Sequence, residues 1–151
     1  MDEIINKALP FEVERGWTGV PNAIYSVYMK HPEMNASAAI LYGLLLKYHN
    51  AKYGYAYPTR EVLAIDLGVS TRTITTLTQK LVKVGLIEVG KSSIQNNGNN
   101  YYFPPVCETV EELEKKFPEI GDHLRKLEER AEEIIAKAEA DKRRRDDVFK
   151  R

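Results

Sequence analysis

Residues 57–91 read Tyr57-Pro-Thr-Arg-Glu-Val-Leu-Ala-Ile-Asp-Leu-Gly-Val-Ser-Thr-Arg-Thr-Ile-Thr-Thr-Leu-Thr-Gln-Lys-Leu-Val-Lys-Val-Gly-Leu-Ile-Glu-Val-Gly-Lys91, and this stretch decides the fold. Thr59 follows Pro58 and precedes good helix formers, so it reads as an N-cap. A helix is predicted over 60–67, with Val62, Leu63 and Leu67 on its buried face and Ala64 small where a second helix crosses. Gly68 supplies the left-handed residue that ends such a helix, and Val69 plugs the turn. Ser70 caps a second helix over 71–84, whose core stripe is Ile74, Leu77, Leu81 and Val84. Helix, tight turn and helix follow one another without a break.

The opposite face of the second helix carries Thr71, Arg72, Thr75, Thr76, Gln79, Lys80 and Lys83 and no acidic residue. Threonine is a poor helix former, so stability alone does not account for this face. Hydroxyls, an amide and cations suit phosphates and base edges, and the helix is of the kind that lies in a major groove. Arg72, Thr75, Thr76 and Gln79 are expected at base edges. Thr59, Arg60, Ser70, Thr71, Lys80 and Lys83 are expected at phosphates.

Gly85 ends the second helix, and Leu86-Ile87-Glu88-Val89 reads as a strand. Lys91 to Asn100 is polar and turn-rich, with the hairpin dipeptide Asn97-Gly98 inside it. Tyr101-Tyr102-Phe103 forms the return strand, closed by Pro104-Pro105. The hairpin is a wing, and Lys91, Ser92, Ser93, Asn96, Asn97 and Asn99 are its candidate phosphate or minor-groove contacts. A plain solvated turn explains the same residues with no ligand. The fold class expected is mainly α with a small β-hairpin: a winged helix-turn-helix domain over 1–107 and a helical extension over 108–151.

The resemblance begins upstream of the quoted stretch, at Val20-Pro-Asn-Ala-Ile24 and at Asn35-Ala-Ser-Ala-Ala-Ile-Leu-Tyr-Gly-Leu-Leu-Leu-Lys-Tyr48. It continues through Tyr57-Pro-Thr59, Leu67-Gly-Val-Ser-Thr-Arg-Thr-Ile74 and Leu81-Val-Lys-Val-Gly-Leu-Ile87. Over residues 11–104 the chain resembles the winged helix-turn-helix proteins of plasmids, phages and integrative elements. It is similar to the N-terminal domains of plasmid replication initiators and to phage replisome organisers and small regulators. The resemblance implies double-stranded DNA binding, in transcription control or in replication initiation or partition. Initiators of this type carry a further C-terminal domain, and residues 108–151 favour a compact regulator.

Upstream of the motif, Phe11, Val13 and Trp17 lie in an irregular segment or a short strand, and Pro21 opens a helix over 22–30. Asn35 caps a helix over 36–50 that is apolar nearly all round and is expected at the centre of the fold. Tyr53, Tyr55 and Tyr57 alternate as a short third strand beside the wing, and their rings are expected in the core.

After the wing, Thr109-Val-Glu-Glu112 is a capping box. Leu113, Phe117, Ile120, Leu124, Leu127, Ala131, Ile134 and Ala138 then follow at alternating spacings of four and three, interrupted at Pro118. A short helix ends near Lys116 and a longer one starts at Pro118. The seam reads as a dimerisation arm through Leu113, Phe117, Ile120, Leu124, Leu127 and Ile134, or as a helix folded back on its own domain. The Lys142-Arg-Arg-Arg145 cluster, flanked by acids, reads as a charge-balanced helix end.

Lysine plus arginine and aspartate plus glutamate both number 22, so the chain is formally neutral. Residues 1–107 hold 10 basic and 8 acidic side chains against 12 and 14 in 108–151. Non-specific DNA affinity is therefore expected to be modest, with favourable charge concentrated on the second helix. The zero net charge also leaves room for a protein-interaction adaptor. The acidic start, the single Cys107 and the lack of a long apolar run point to a cytoplasmic protein with no membrane span. His31, His49 and His123 are scattered, no metal-ligand spacing or glycine-rich phosphate loop occurs, and no cofactor or enzymatic role is expected. The partners expected are double-stranded DNA, a second copy of the chain, and a replication or regulatory protein on the C-terminal helix.

Overall fold

The computed structural model describes residues 6–92 and 98–150. Residues 6–20 form no helix or strand, and Phe11, Val13 and Trp17 are exposed there. Helix α1 (Asn22–Ser26) follows Pro21 and gives way to a 3-10 turn at Tyr28–Lys30, so the expected helix over 22–30 is broken at Val27. Helix α2 (Ala36–Lys47) is capped by Asn35, whose side chain accepts from the Ala38 N–H at 2.8 Å. Ala38, Leu41, Tyr42 and Leu45 are buried while Ile40 is exposed, so α2 runs along the core rather than through it.

Helices α3 (Arg60–Leu67) and α4 (Thr71–Lys83) pack on each other, and α4 also packs on α2. Thr59 and Ser70 cap them by accepting from Val62 N–H at 3.2 Å and Thr73 N–H at 3.1 Å. Gly68 adopts φ 66° and Gly85 φ 76°. Each glycine lets the chain fold back over the last turn: Val69 N–H donates to Ala64 C=O at 3.0 Å, and Leu86 N–H to Leu81 C=O at 3.0 Å. Ile74, Leu77, Leu81 and Val84 are buried as their spacing predicts. On α3 the buried pair is Leu63 and Ala64, and Val62 is exposed, because the crossing of α4 selects the Ala64 side.

Four short strands form an antiparallel sheet in the order β1-β2-β4-β3: β1 (His49–Asn50), β2 (Tyr55–Ala56), β3 (Glu88–Lys91) and β4 (Asn99–Tyr102). The pairing of Ala56, Tyr101 and Val89 across β2, β4 and β3 puts these three on one face. Ala56 and Tyr101 are fully buried. The first wing strand begins two residues later than the apolar pattern indicated, at Glu88, and the return strand two residues earlier, at Asn99. Leu86 and Ile87 are buried, but Leu86 is occupied in closing α4. The tyrosines also depart from expectation. Tyr55 is 6.0 Å from Tyr53, 6.1 Å from Tyr57 and 5.4 Å from Tyr102, ring centre to ring centre. Tyr53, Tyr57 and Tyr102 are exposed, so the cluster covers the outer side of the sheet.

Helix α5 (Val110–Lys116) starts at Thr109, whose hydroxyl accepts from Glu112 N–H at 3.2 Å while Glu112 accepts from Glu108 N–H at 2.9 Å. A 3-10 turn at Pro118–Ile120 leads into α6 (Gly121–Phe149), a helix of 29 residues and about 43 Å. Leu113, Ile120 and Leu124 are buried in the same core as α1, α2 and α4, and Phe117 packs against it. The core therefore continues to Leu124 instead of stopping at 107. Leu113, Ile120 and Leu124 are removed from any dimer seam, because a side chain buried in its own domain has no surface to offer a partner. Beyond Leu127 the side chains of α6 are exposed except for half-buried Asp141, and Ile134 and Ile135 are both 59% exposed.

Two hydrogen bonds tie the connections to the core. Cys107 N–H donates to the Tyr28 hydroxyl at 2.8 Å, and burial pushes that hydroxyl up to about 12, keeping it protonated. The Tyr48 hydroxyl donates to Asp66, joining the end of α2 to α3.

Candidate nucleic-acid interface

Helix α4 presents an exposed face because its core stripe is narrow. Positions 72, 75, 76, 79, 82 and 83 lie opposite Ile74, Leu77 and Leu81 at helical spacing. Of the residues expected at base edges, Arg72, Thr76 and Gln79 are exposed and Thr75 is half-buried. Thr75 and Thr76 donate their hydroxyl protons to the carbonyls of Thr71 and Arg72, each at 3.2 Å. The Thr76 oxygen is left as an acceptor, the Thr75 oxygen accepts from Arg60, and Arg72 and Gln79 carry donors on this face.

The wing stands beside this face. Between them runs an open groove of about 460 Å³ lined by Arg60, Thr75, Thr78, Gln79, Val82, Lys83, Val89 and Asn99. Arg60 comes from α3, and its guanidinium donates to the Thr75 hydroxyl at 3.3 Å. Arg60 is thus held against α4 beside the residues expected at base edges. Asn99, expected at the tip of the wing, is paired with Lys91 inside the ladder and forms one wall of the groove. Lys91 is exposed at the end of β3, and Ser92 N–H donates to Gly98 C=O at 2.9 Å as the chain leaves the ladder. Ser93, Asn96 and Asn97 lie outside the described residues.

The candidate phosphate contacts divide into three groups. The hydroxyls of Thr59 and Ser70 accept from their own helix starts and stay exposed, beside Thr71 at the N-terminus of α4. Such a helix start favours an anion. Lys80 lies on the far flank of α4 from the wing, and its ammonium donates to the Glu33 carbonyl at 3.3 Å. Lys83 is exposed and faces the Glu33 carboxylate at 3.8 Å. The two lysines are therefore held by the turn preceding α2, a relationship 47 residues long in the chain for Lys80.

Glu33 is in turn tied to His31. The Glu33 N–H donates to His31 Nδ1 at 3.1 Å, so the proton of the neutral ring sits on Nε2, which is buried and has no hydrogen-bond partner among the described residues. The ring meets Phe117 edge-on at 4.9 Å. Burial lowers the His31 pKa, partly offset by Glu33 and Glu119, with His123 lowering it further. On the same side, the Lys116 ammonium lies where a side chain on Gly85 would begin, 2.6 Å from that position, so the end of α5 rests on the end of α4.

Val82, three residues after Gln79, shares the outer face of α4, and that spacing was the sequence signal for its place in the groove. Val89 and Glu33 carried no such signal, since their neighbours come from other elements.

With a capped helix pair, a left-handed glycine turn and a wing beside the exposed helix, the geometry is that of a winged helix-turn-helix. Residues 33–87 match the family model of a helix-turn-helix domain. That match runs from Glu33 to Ile87 and takes in α2, α3 and α4. No curated protein and no solved structure matches the chain. The match supports a helix-turn-helix fold of the DNA-binding type, in which α4 is the second helix of the pair. Among the described residues no group of His, Cys, Asp and Glu is placed to hold a metal ion, and no helix is long and apolar enough to cross a membrane.

Proposed function

We propose that the protein is a sequence-specific double-stranded DNA-binding regulator of a plasmid, phage or integrative element, acting by binding and not by catalysis. The observation that carries this reading is the acid-free outer face of α4, where Arg72, Thr76 and Gln79 are exposed with the wing alongside. Stability does not ask for threonine at these positions, whereas base edges use acceptors, amides and guanidinium groups together. Arg72, Thr75, Thr76 and Gln79 read bases, and Arg60, Thr71 and Lys83 hold the flanking backbone.

The protein works as a homodimer in this reading, with two recognition helices on two half-sites. The free part of α6, where Leu127 is half-buried and Ile134 and Ile135 are exposed, supports pairing through the helix beyond the core. Selection of duplexes from a random library, followed by sedimentation of the complex, tests this. An inverted repeat bound by two chains is expected. Direct repeats bound in tandem would move the role to replication initiation or partition. Absence of any selected sequence would move it to a protein adaptor.

A further inference from the structure

The groove between α4 and the wing is apolar where a DNA interface is ordinarily polar. Val82 on α4 and Val89 on β3 are both exposed there. The neighbouring Thr75 and Thr78 have given their hydroxyl protons to the carbonyls of Thr71 and Ile74, at 3.2 and 2.7 Å. The Asn99 amide is directed to the Tyr101 hydroxyl at 3.5 Å. Donors remain on the lining at Gln79, Arg60 and Lys83. Its charged lining residues are Arg60 and Lys83, with no acid among the lining.

An apolar strip flanked by two cations is complementary to an apolar group on an anionic polymer. Along the edges of DNA bases in the major groove, the group that answers this description is the thymine 5-methyl. The strip is also continuous with Thr75 and Gln79, the residues assigned to base edges. We infer that Val82 and Val89 form a thymine-methyl site, which makes the protein prefer thymine at a fixed step beside the base pairs read by Gln79. Arg60 and Lys83 hold the phosphates on either side of that step. This inference rests on the DNA-binding reading and adds to it two residues that carry specificity without a hydrogen bond.

The test replaces each thymine of the selected duplex, one at a time, by deoxyuridine, which keeps the pairing and removes only the methyl. Affinity is measured by fluorescence anisotropy for the wild-type chain and for Val82→Ser and Val89→Ser, which remove both methyls of the side chain. Folding of both variants is checked by circular dichroism. A loss of about fourfold, the worth of one buried methyl group, is expected at one or two thymines in the wild type. The same replacements should cost the two variants little. Selective binding with no uracil-sensitive thymine would overturn the inference and leave the DNA-binding reading standing. Sensitivity that persists in both variants would assign the methyl to another side chain and overturn it equally. Failure to select any duplex would remove both.

Discussion

Lys83 of α4 lies 3.8 Å from the carboxylate of Glu33, in the turn that leads into α2. Both side chains are well exposed, so the pair contributes little to folding. In the proposed DNA-binding reading its effect falls on binding, because DNA phosphate would compete with Glu33 for one ammonium. Glu33→Gln is expected to tighten non-specific duplex binding about two- to fivefold at low salt, a gain that shrinks as salt rises. Lys83→Ala should lower the slope of log affinity against log salt by about one. Unchanged salt dependence in Lys83→Ala would place Lys83 off the interface.

Leu113 and Ile134 belong to one heptad pattern but have different fates. Leu113 is fully buried and Ile134 is 59% exposed. Leu113→Ala should cost about 2–5 kcal/mol of stability, measured by urea unfolding. Ile134→Ala should leave a monomer within about 0.5 kcal/mol of the wild type. If α6 pairs, Ile134→Ala shifts the monomer–dimer balance in sedimentation, and an unchanged balance would count against the arm as the dimer contact.

Acid should destabilise the fold through His31. Burial holds its pKa below the ordinary 6.5, so the unfolded chain takes up this proton before the folded one. The contribution is present in full above about 6.5 and is lost as pH falls through the folded value. Protonation would also turn Nδ1 into a donor and break its bond to the Glu33 N–H. Thermal unfolding across an acid series should show this loss in the wild type and less of it in His31→Gln. Identical profiles would show that His31 does not carry it.

Much of the recognition unit was legible because it is local. Thr59, Ser70, Gly68 and Gly85 cap or close their helices within four or five residues of chain, and Ile74, Leu77, Leu81 and Val84 repeat within one helix. What was illegible depends on which elements meet. Leu113, Ile120 and Leu124 show the same spacing whether they face a second chain or their own core. The Glu33 contacts with Lys80 and Lys83 cross most of the domain. The tyrosines alternate as a strand requires, but alternation does not say which side of the sheet the helices cover. The outer side fell to Tyr55, Tyr57 and Tyr102 because Ala56 and Tyr101 share the inner one.

Gly68 tests the turn itself. It adopts φ 66°, and nothing lies within 4 Å of where a side chain would begin. Gly68→Ala therefore adds backbone strain without a clash, costing about 1–2 kcal/mol. Gly68→Asn should cost less, since asparagine tolerates the left-handed region. Equal thermal stability of Gly68→Ala and the wild type would mean that the turn has another conformation.

Reading of duplex DNA by the exposed face of α4, as proposed, stands or falls at Arg72. Wild-type and Arg72→Ala chains are titrated on the selected duplex and on its single-base variants, at two salt concentrations. Wild-type binding is expected to weaken steeply with salt, and Arg72→Ala to lose about 1–3 kcal/mol with a relaxed preference at one base pair. An Arg72→Ala chain with the wild-type affinity and preference would contradict that reading.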